Sequence, residues 1–320
     1  MGLKRSMRTT AAKALPASLG DALPVEADAR KSSLPWIVAI GASAGGIDAL
    51  LKFFAAVPAD TSCAFLVVVH LAPDRESNLV PLLGRATVMP VAQVDKDSEV
   101  VADHVYVAPP GFDMLMQDGR FVAEKVTSRP PKPMAIDHAM MSLAASQRER
   151  LIGVVMSGAD GDGSLGLKAI KSEGGFTLAQ LPASAGHPDM PLHAIAAGVV
   201  DRQLMVNEMP AAIMQIIRHA GAFADGAGDA SEVDQLKAIL EHLNNRLGLD
   251  FRGYKTPMLS RRIRRRMGLC SIRSEDLYLR HLLKVPEEAE ALSRDFLISV
   301  TEFFRDNASA SSGTFSRCRR

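Results

Sequence analysis

Hydrophobic residues fall along this chain in runs of distinct kinds. Three are short, continuous and rich in β-branched residues: Ile37–Ile40, Phe65–Val69 and Leu151–Met156. Runs that lack alternation predict strands covered on both faces, as in a parallel sheet. The first gives way to "IDALLKFFAAV", which places Ile47, Leu50, Leu51 and Phe54 at helical spacing. The third leads into "SLGLKAIKSEGG", running from a serine suited to an N-cap to a glycine pair suited to a stop. "HVYVAPPG" and "RFVAEKV" alternate better and predict an edge hairpin or meander. Strand–helix alternation of this kind predicts an α/β fold, a doubly wound, mostly parallel sheet with flanking helices.

From Ala220 to Glu232 the pattern lapses into "AGAFADGAGDASE", small and turn-prone. Beyond it, "VDQLKAILEHLNNRLGLD" and "MLSRRIRRRMGL" predict amphipathic helices and hence a small all-α domain. In the second of these, Leu259, Ile263 and Met267 form an apolar stripe, and Arg261, Arg262, Arg264, Arg265 and Arg266 cover the rest. The expected organisation is a disordered lead over 1–34, an α/β domain over 35–222, a linker over 223–232, a helical domain over 233–306 and an unstructured tail over 307–320. "MGLKRS" fits a loose myristoylation pattern, but the lead has no apolar core of a secretory signal.

Composition narrows the picture modestly. The 320 residues are 47% hydrophobic and 23% charged, with a net charge of +1, so no global field recruits nucleic acid or a membrane. Three widely spaced cysteines, Cys63, Cys270 and Cys318, argue against a disulfide framework or a thiolate metal site and fit a reducing cytoplasm. No apolar run approaches the ~20 residues that span a bilayer.

Candidate chemistry sits where the strands end. "WIVAIGASAGG" closes the first strand in small residues around one serine. Such a loop can cradle a dinucleotide phosphate at a helix N-terminus, but the acidic residue expected at the end of the second strand is replaced by His70. Gly41-Ala42-Ser43-Ala44-Gly45 also fits G-x-S-x-G, whose small neighbours permit a turn sharp enough to expose a nucleophile. The three strands end in "GAS", "VVVH" and "MSGADGD". In parallel sheets the carboxyl ends share one rim, so Ser43, His70 and one or both of Asp160 and Asp162 are expected to converge there. These are a weak nucleophile, a base to take its proton and a carboxylate to orient the base. Each residue alone also suits an ordinary turn. A calcium loop at "DGDGS" fails, because Leu165 and Lys171 stand where glycine and glutamate are required. The order serine, histidine, acid departs from that of α/β-hydrolases.

Taken together, these motifs resemble the catalytic domain of the bacterial chemotaxis protein-glutamate methylesterases (CheB-type). "IGASAGG", "VVVHLAP", "SNLVPLL", "VYVAPPGFDM", "KPMAID", "GVVMSGADGDGSLGL" and "HPDMPLHAIAAGVVD" fall in the family's order between about Trp36 and Ala222. The resemblance implies a methylesterase-like fold, with Ser43 as nucleophile, His70 as general base and Asp162 as orienting carboxylate. The amides of Ala44 and Ala159 would form the oxyanion hole, Ala159 replacing the family's usual methionine. It also implies hydrolysis of glutamate methyl esters, and deamidation of glutamines, on the cytoplasmic helices of chemoreceptors, without metal or cofactor. Other chemosensory signalling proteins are further expected partners, and the family's N-terminal receiver domain is not recognised in the lead. Val233 to Asp306 resembles the N-terminal helical domain of the partner methyltransferases (CheR-type), above all through "FLISVTEFFRD". There the five arginines would dock receptor helices, and Thr301 and Arg305 would be vestiges of S-adenosylmethionine contacts. The methyltransferase's large domain is not recognised after Arg305, so methyl transfer is not expected. The competing reading is a non-catalytic signalling adaptor.

Overall fold

The structure is a computed structural model and describes residues 34–70, 78–126, 134–220 and 230–297. The expected lead and tail, most of the expected linker, and Thr301 and Arg305 lie outside these residues.

The chain runs through β1 (Trp36–Ala42), α1 (Gly46–Ala56), β2 (Cys63–Val69), α2 (Leu79–Leu83), β3 (Val91–Gln93), β4 (Ser98–Glu99) and β5 (His104–Val107). It continues through β6 (Phe112–Gln117), β7 (Arg120–Lys125), α3 (Ala135–Gln147), β8 (Leu151–Val155), α4 (Ser164–Ser172), β9 (Phe176–Gln180), α5 (Asp189–Ala196), β10 (Arg202–Leu204) and α6 (Met209–Ala220). The main sheet has seven strands in the order β10-β9-β8-β1-β2-β5-β3, with every adjacent pair parallel. β1 sits at its centre and is buried along its whole length.

Alternation along β1 builds two cores. Val38, Ile40 and Ala42 join Leu50, Phe53 and Phe54 of α1 and Ile213 and Ile216 of α6 on one face. Ile37 and Ala39 join Ile136 and Met140 of α3 and Leu167 and Ile170 of α4 on the other. This layering is the doubly wound arrangement the run pattern implied.

Three local expectations change and one holds. "HVYV" is an interior strand: Val105, Tyr106 and Val107 are buried as β5 between β2 and β3. "RFVAEK" does form a hairpin, as β7 paired antiparallel with β6, in a separate three-stranded sheet. In α1, Phe53 replaces Ile47 on the buried face, leaving Ile47 exposed at the helix start. At α4 the cap position is Gly163 at φ 94°, a left-handed conformation that favours glycine, and Ser164 is the first helical residue.

The helical segment comprises α7 (Ala230–Leu247), α8 (Thr256–Leu269), α9 (Glu275–Lys284) and α10 (Pro286–Leu297). Ser274 caps α9, accepting the Leu277 amide. Leu259, Ile263 and Met267 of α8 pack with Leu243, Tyr278, Leu292 and Phe296 in a core of their own. The described residues form one unit, because α8 also docks on the α/β layers. Leu269 enters the β1 core, and Gln215 of α6 donates to Ser271 Oγ at 2.6 Å.

The arginines of α8 form much of this junction, which corrects the expectation that all five present a receptor-docking face. Arg262 is buried and donates to the carbonyls of Lys171 and Ser172, the last turn of α4. A guanidinium there meets the negative end of the helix dipole. Arg265 is buried over the Phe176 ring at 5.6 Å, donates to the Gly175 carbonyl at 2.7 Å and bridges Asp201 and Asp295. Lys171 reaches the same two carboxylates at 3.1 and 3.5 Å. Arg266 holds Glu288 through two nitrogens. Arg261 lies 3.8 Å from Glu149 and 4.0 Å from Glu173, and Arg264 is half-buried. Burial would raise the Asp201 carboxyl, but the charges of Arg265 and Lys171 outweigh it and hold it well below the usual carboxylate range.

Candidate active site

The site grows out of strand register. β1 and β2 pair in parallel down to Ala42 opposite Val69, and the His70 amide donates to the Ala42 carbonyl at 3.2 Å. Ser43 and His70 therefore leave neighbouring strands side by side, at the ~5 Å spacing of a sheet. On the other flank β8 runs beside β1, and the Ser43 amide donates to the Ser157 carbonyl at 2.9 Å. The chain then turns sharply at Gly45, whose φ is 72°. A Cβ at Gly45 would lie 2.8 Å from Ser157 Oγ, so the turn needs glycine for conformation and for space.

Asp162 comes from the loop between β8 and α4. Its Oδ2 stands 2.9 Å from His70 Nε2. At that distance the two groups form an ion pair whenever the imidazole is protonated. His70 Nδ1 lies 3.7 Å from Asp160 Oδ2, beyond hydrogen-bonding distance. The Asp162 carboxylate also accepts three backbone amides, from Ile136 at 3.0 Å and from Asp137 and Gly163 at 2.9 Å each. Two of these belong to the first turn of α3, whose own N-cap residue Met134 supplies no side-chain bond. Asp162 thus caps a helix far from it in sequence, and that helix end in turn fixes the carboxylate.

The electrostatics follow from these contacts. Interaction with Asp162 raises the His70 pKa above its ordinary value, burial opposes it, and the charges of Asp160 and Asp137 add to the rise. Burial pushes the Asp162 carboxyl up, but His70 and the amides of Asp137 and Ile136 outweigh it and leave it below the ordinary value.

The structure brings His70 and Asp162 into contact and carries Ser43 to the adjoining strand end. Ala44 and Ala159 lie on the two loops flanking Ser43, half-exposed and exposed. Among the described residues neither backbone amide has an acceptor.

Ser157 and Gln180 were not singled out in the sequence. Ser157 is fully buried; its Oγ donates to the Ala44 carbonyl at 2.8 Å and accepts the His187 amide at 2.9 Å. Its own amide donates to Gln180 Oε1 at 3.0 Å. This hydroxyl ties the serine loop to the segment leading into α5. The only available signal was its place in "MSGADGD", where it reads as one more small loop residue.

Among the described residues, one group places potential metal-ligand atoms within 4.8 Å of one another: Cys270, His281 and Glu288. Glu288 already accepts from Arg266 through both oxygens and from Tyr278 at 2.7 Å. Burial, with Glu288 adding to it, pushes the Cys270 thiol up to about 12. A saturated carboxylate beside a protonated thiol does not fit a divalent ion.

Fold and site together define a parallel α/β protein that presents a hydroxyl, an imidazole and a carboxylate at the carboxyl rim of its sheet. The profile of the CheB methylesterase family matches residues 38–213, more than half of the chain, and the chain belongs to that family. The profile of the CheR methyltransferase all-alpha domain matches residues 234–297. A protein-glutamate methylesterase/protein-glutamine glutaminase of Carboxydothermus hydrogenoformans is 33% identical over 52% of this chain and 51% of its own length. An uncharacterized 104.1 kDa protein of Rhodobacter capsulatus is 33% identical over 71% of this chain but 26% of its own length. The CheB methylesterase catalytic domain of Thermotoga maritima superposes with a TM-score of 0.54 at 26% identity, over 57% of this chain and 99% of that one. The chain thus spans about half the length of the methylesterase relative and about a quarter of the Rhodobacter protein.

Proposed function

We propose that this protein hydrolyses the methyl esters of glutamate side chains on chemoreceptor helices. The His70–Asp162 contact beside the Ser43 turn, in a chain of the CheB methylesterase family, carries the reading. With Nε2 turned to Asp162, Nδ1 is the nitrogen left to take the Ser43 proton. Ser43 Oγ attacks the ester carbonyl, and the tetrahedral oxyanion is received by the Ala44 and Ala159 amides, donors worth about 2.7–4 kcal/mol each in comparable sites. His70 returns the proton to the departing methanol, leaving an acyl-enzyme. Water, deprotonated by His70, then releases glutamate. Glutamine amides pass through the same tetrahedral intermediate, with ammonia in place of methanol, which extends the proposal to deamidation. Action on those helices would put the protein's work in the cytoplasm. No helix of the described residues is long and apolar enough to cross a membrane.

Incubation with methyl-labelled receptor and measurement of methanol release tests the reading. Ser43→Ala is expected to cut release on the order of 10⁴- to 10⁶-fold while the fold persists. Release unchanged by that substitution, or absent in the wild type, ends the proposal. In the second case, receptor capture that survives Ser43→Ala would point to the adaptor.

A further inference from the structure

Behind the His70–Asp162 contact stands a carboxyl that the esterase mechanism leaves unused. Asp137, in the first turn of α3, is 1% exposed. Its Oδ1 accepts the Gly166 amide of α4 at 2.7 Å, and its own amide donates to Asp162 Oδ1 at 2.9 Å. The carboxylate of Asp162 is thus held on the backbone of the residue that carries the second carboxyl, and the two groups influence each other's ionisation. An asparagine could accept the Gly166 amide equally well and donate to Asp162, without two like charges in a buried site. Tying α3 to α4 therefore does not account for a carboxylate at this position.

We propose that Asp137 is a positioning residue for the reaction, acting through Asp162 to set how firmly His70 holds its proton. When ionised, Asp137 adds its charge to those of Asp162 and Asp160 in favour of the imidazolium. When protonated, it donates to Asp162 and draws off part of the charge that His70 faces. Burial is the largest influence raising the Asp137 carboxyl to about 6; the Gly166 amide opposes it, and the charge of Asp162 adds to the rise. The other charged groups are accounted for. Next along α3, His138 pairs with Asp113 of β6 at 3.2 Å. On α4, Lys168 is exposed and Lys171 lies at the far end with Asp201 and Asp295.

The direction of the effect follows. His70 must be neutral to act as base, and its pKa is raised, so activity climbs as pH rises through that value. An ionised Asp137 favours the imidazolium and so helps hold the His70 value up. Asp137→Asn removes that charge and keeps an acceptor for Gly166, so His70 should lose its proton at lower pH.

The catalytic half of this inference rests on the esterase reading; the titration half does not. NMR titration of the His70 ring, assigned by its loss in His70→Gln, and kcat/KM for methanol release against pH are the two readouts. Both midpoints are expected to move to lower pH in Asp137→Asn with the circular dichroism spectrum unchanged. The wild-type ring should also show a second, smaller inflection where Asp137 ionises. An unmoved His70 midpoint in folded Asp137→Asn overturns the proposal. If that variant does not fold, a wild-type ring with a single inflection does so. A wild type that releases no methanol sinks the esterase reading alone and leaves the titration result standing.

Discussion

The least visible side chain of the site, the Ser157 hydroxyl, ties two loops together. It donates to Ala44 and accepts from His187 in a fully buried setting. Ser157→Ala strands a carbonyl and an amide, at a cost of about 1–3 kcal/mol for such groups left without a partner. Thermal unfolding should register that loss, and methanol release should fall with it, because the freed carbonyl belongs to the residue after Ser43. A variant with wild-type unfolding and wild-type turnover would show that the hydroxyl fixes nothing. At this scale the sequence was partly legible. Ser43, His70 and Asp162 stood out because each closes or follows a recognisable strand. Asp137 did not, since an acid in the first turn of a helix reads as ordinary complement to the helix dipole. What separates it from such an acid is the Asp162 carboxylate, supplied by a loop 25 residues further along.

Among the elements, the central strands were legible because both of their faces are covered, leaving β1, β2 and β8 as unbroken apolar runs. β9 was harder: Thr177 and Gln180 are polar yet buried, satisfied by Asp201 and by Ser157 and Ser184. α8 shows the opposite failure. Five arginines in six positions suggest a face meant for a partner, yet Arg265 meets Asp201 and Asp295, 64 and 30 residues away. No local pattern encodes partners at that separation, so charge alone could not tell a solvated helix from one docked inward. The pairing has a measurable consequence. Arg265→Ala removes one of two cations facing two buried carboxylates and is expected to cost about 3–5 kcal/mol, as for other broken buried pairs. Chemical denaturation should show that loss largely undiminished at high salt, since buried charges are poorly screened. A loss under 1 kcal/mol would mean that water already reaches the cluster.

Across the whole molecule, α4 spans the distance between chemistry and junction. Its first turn receives Asp137 and follows the Asp162–Gly163 turn, while its last carbonyls receive Arg262 of α8. The helical segment therefore abuts the end of α4 opposite the rim where Ser43 and His70 emerge. Calorimetry is expected to show one cooperative transition for the described residues, in place of the two that a flexibly tethered pair of domains would give. Two resolved peaks would contradict the junction described.

The ring formed by Lys171, Asp201, Arg265 and Asp295 has one further effect. Each segment supplies one cation and one carboxylate, and two of the four pairings, Lys171 with Asp295 and Arg265 with Asp201, cross between the segments, so separating them would leave every member with one opposite charge in place of two. Evolution can trim or lengthen the surface loops of such a protein freely, but a recombination breakpoint between Ala220 and Ala230 would have to carry matching changes on both sides of the cut.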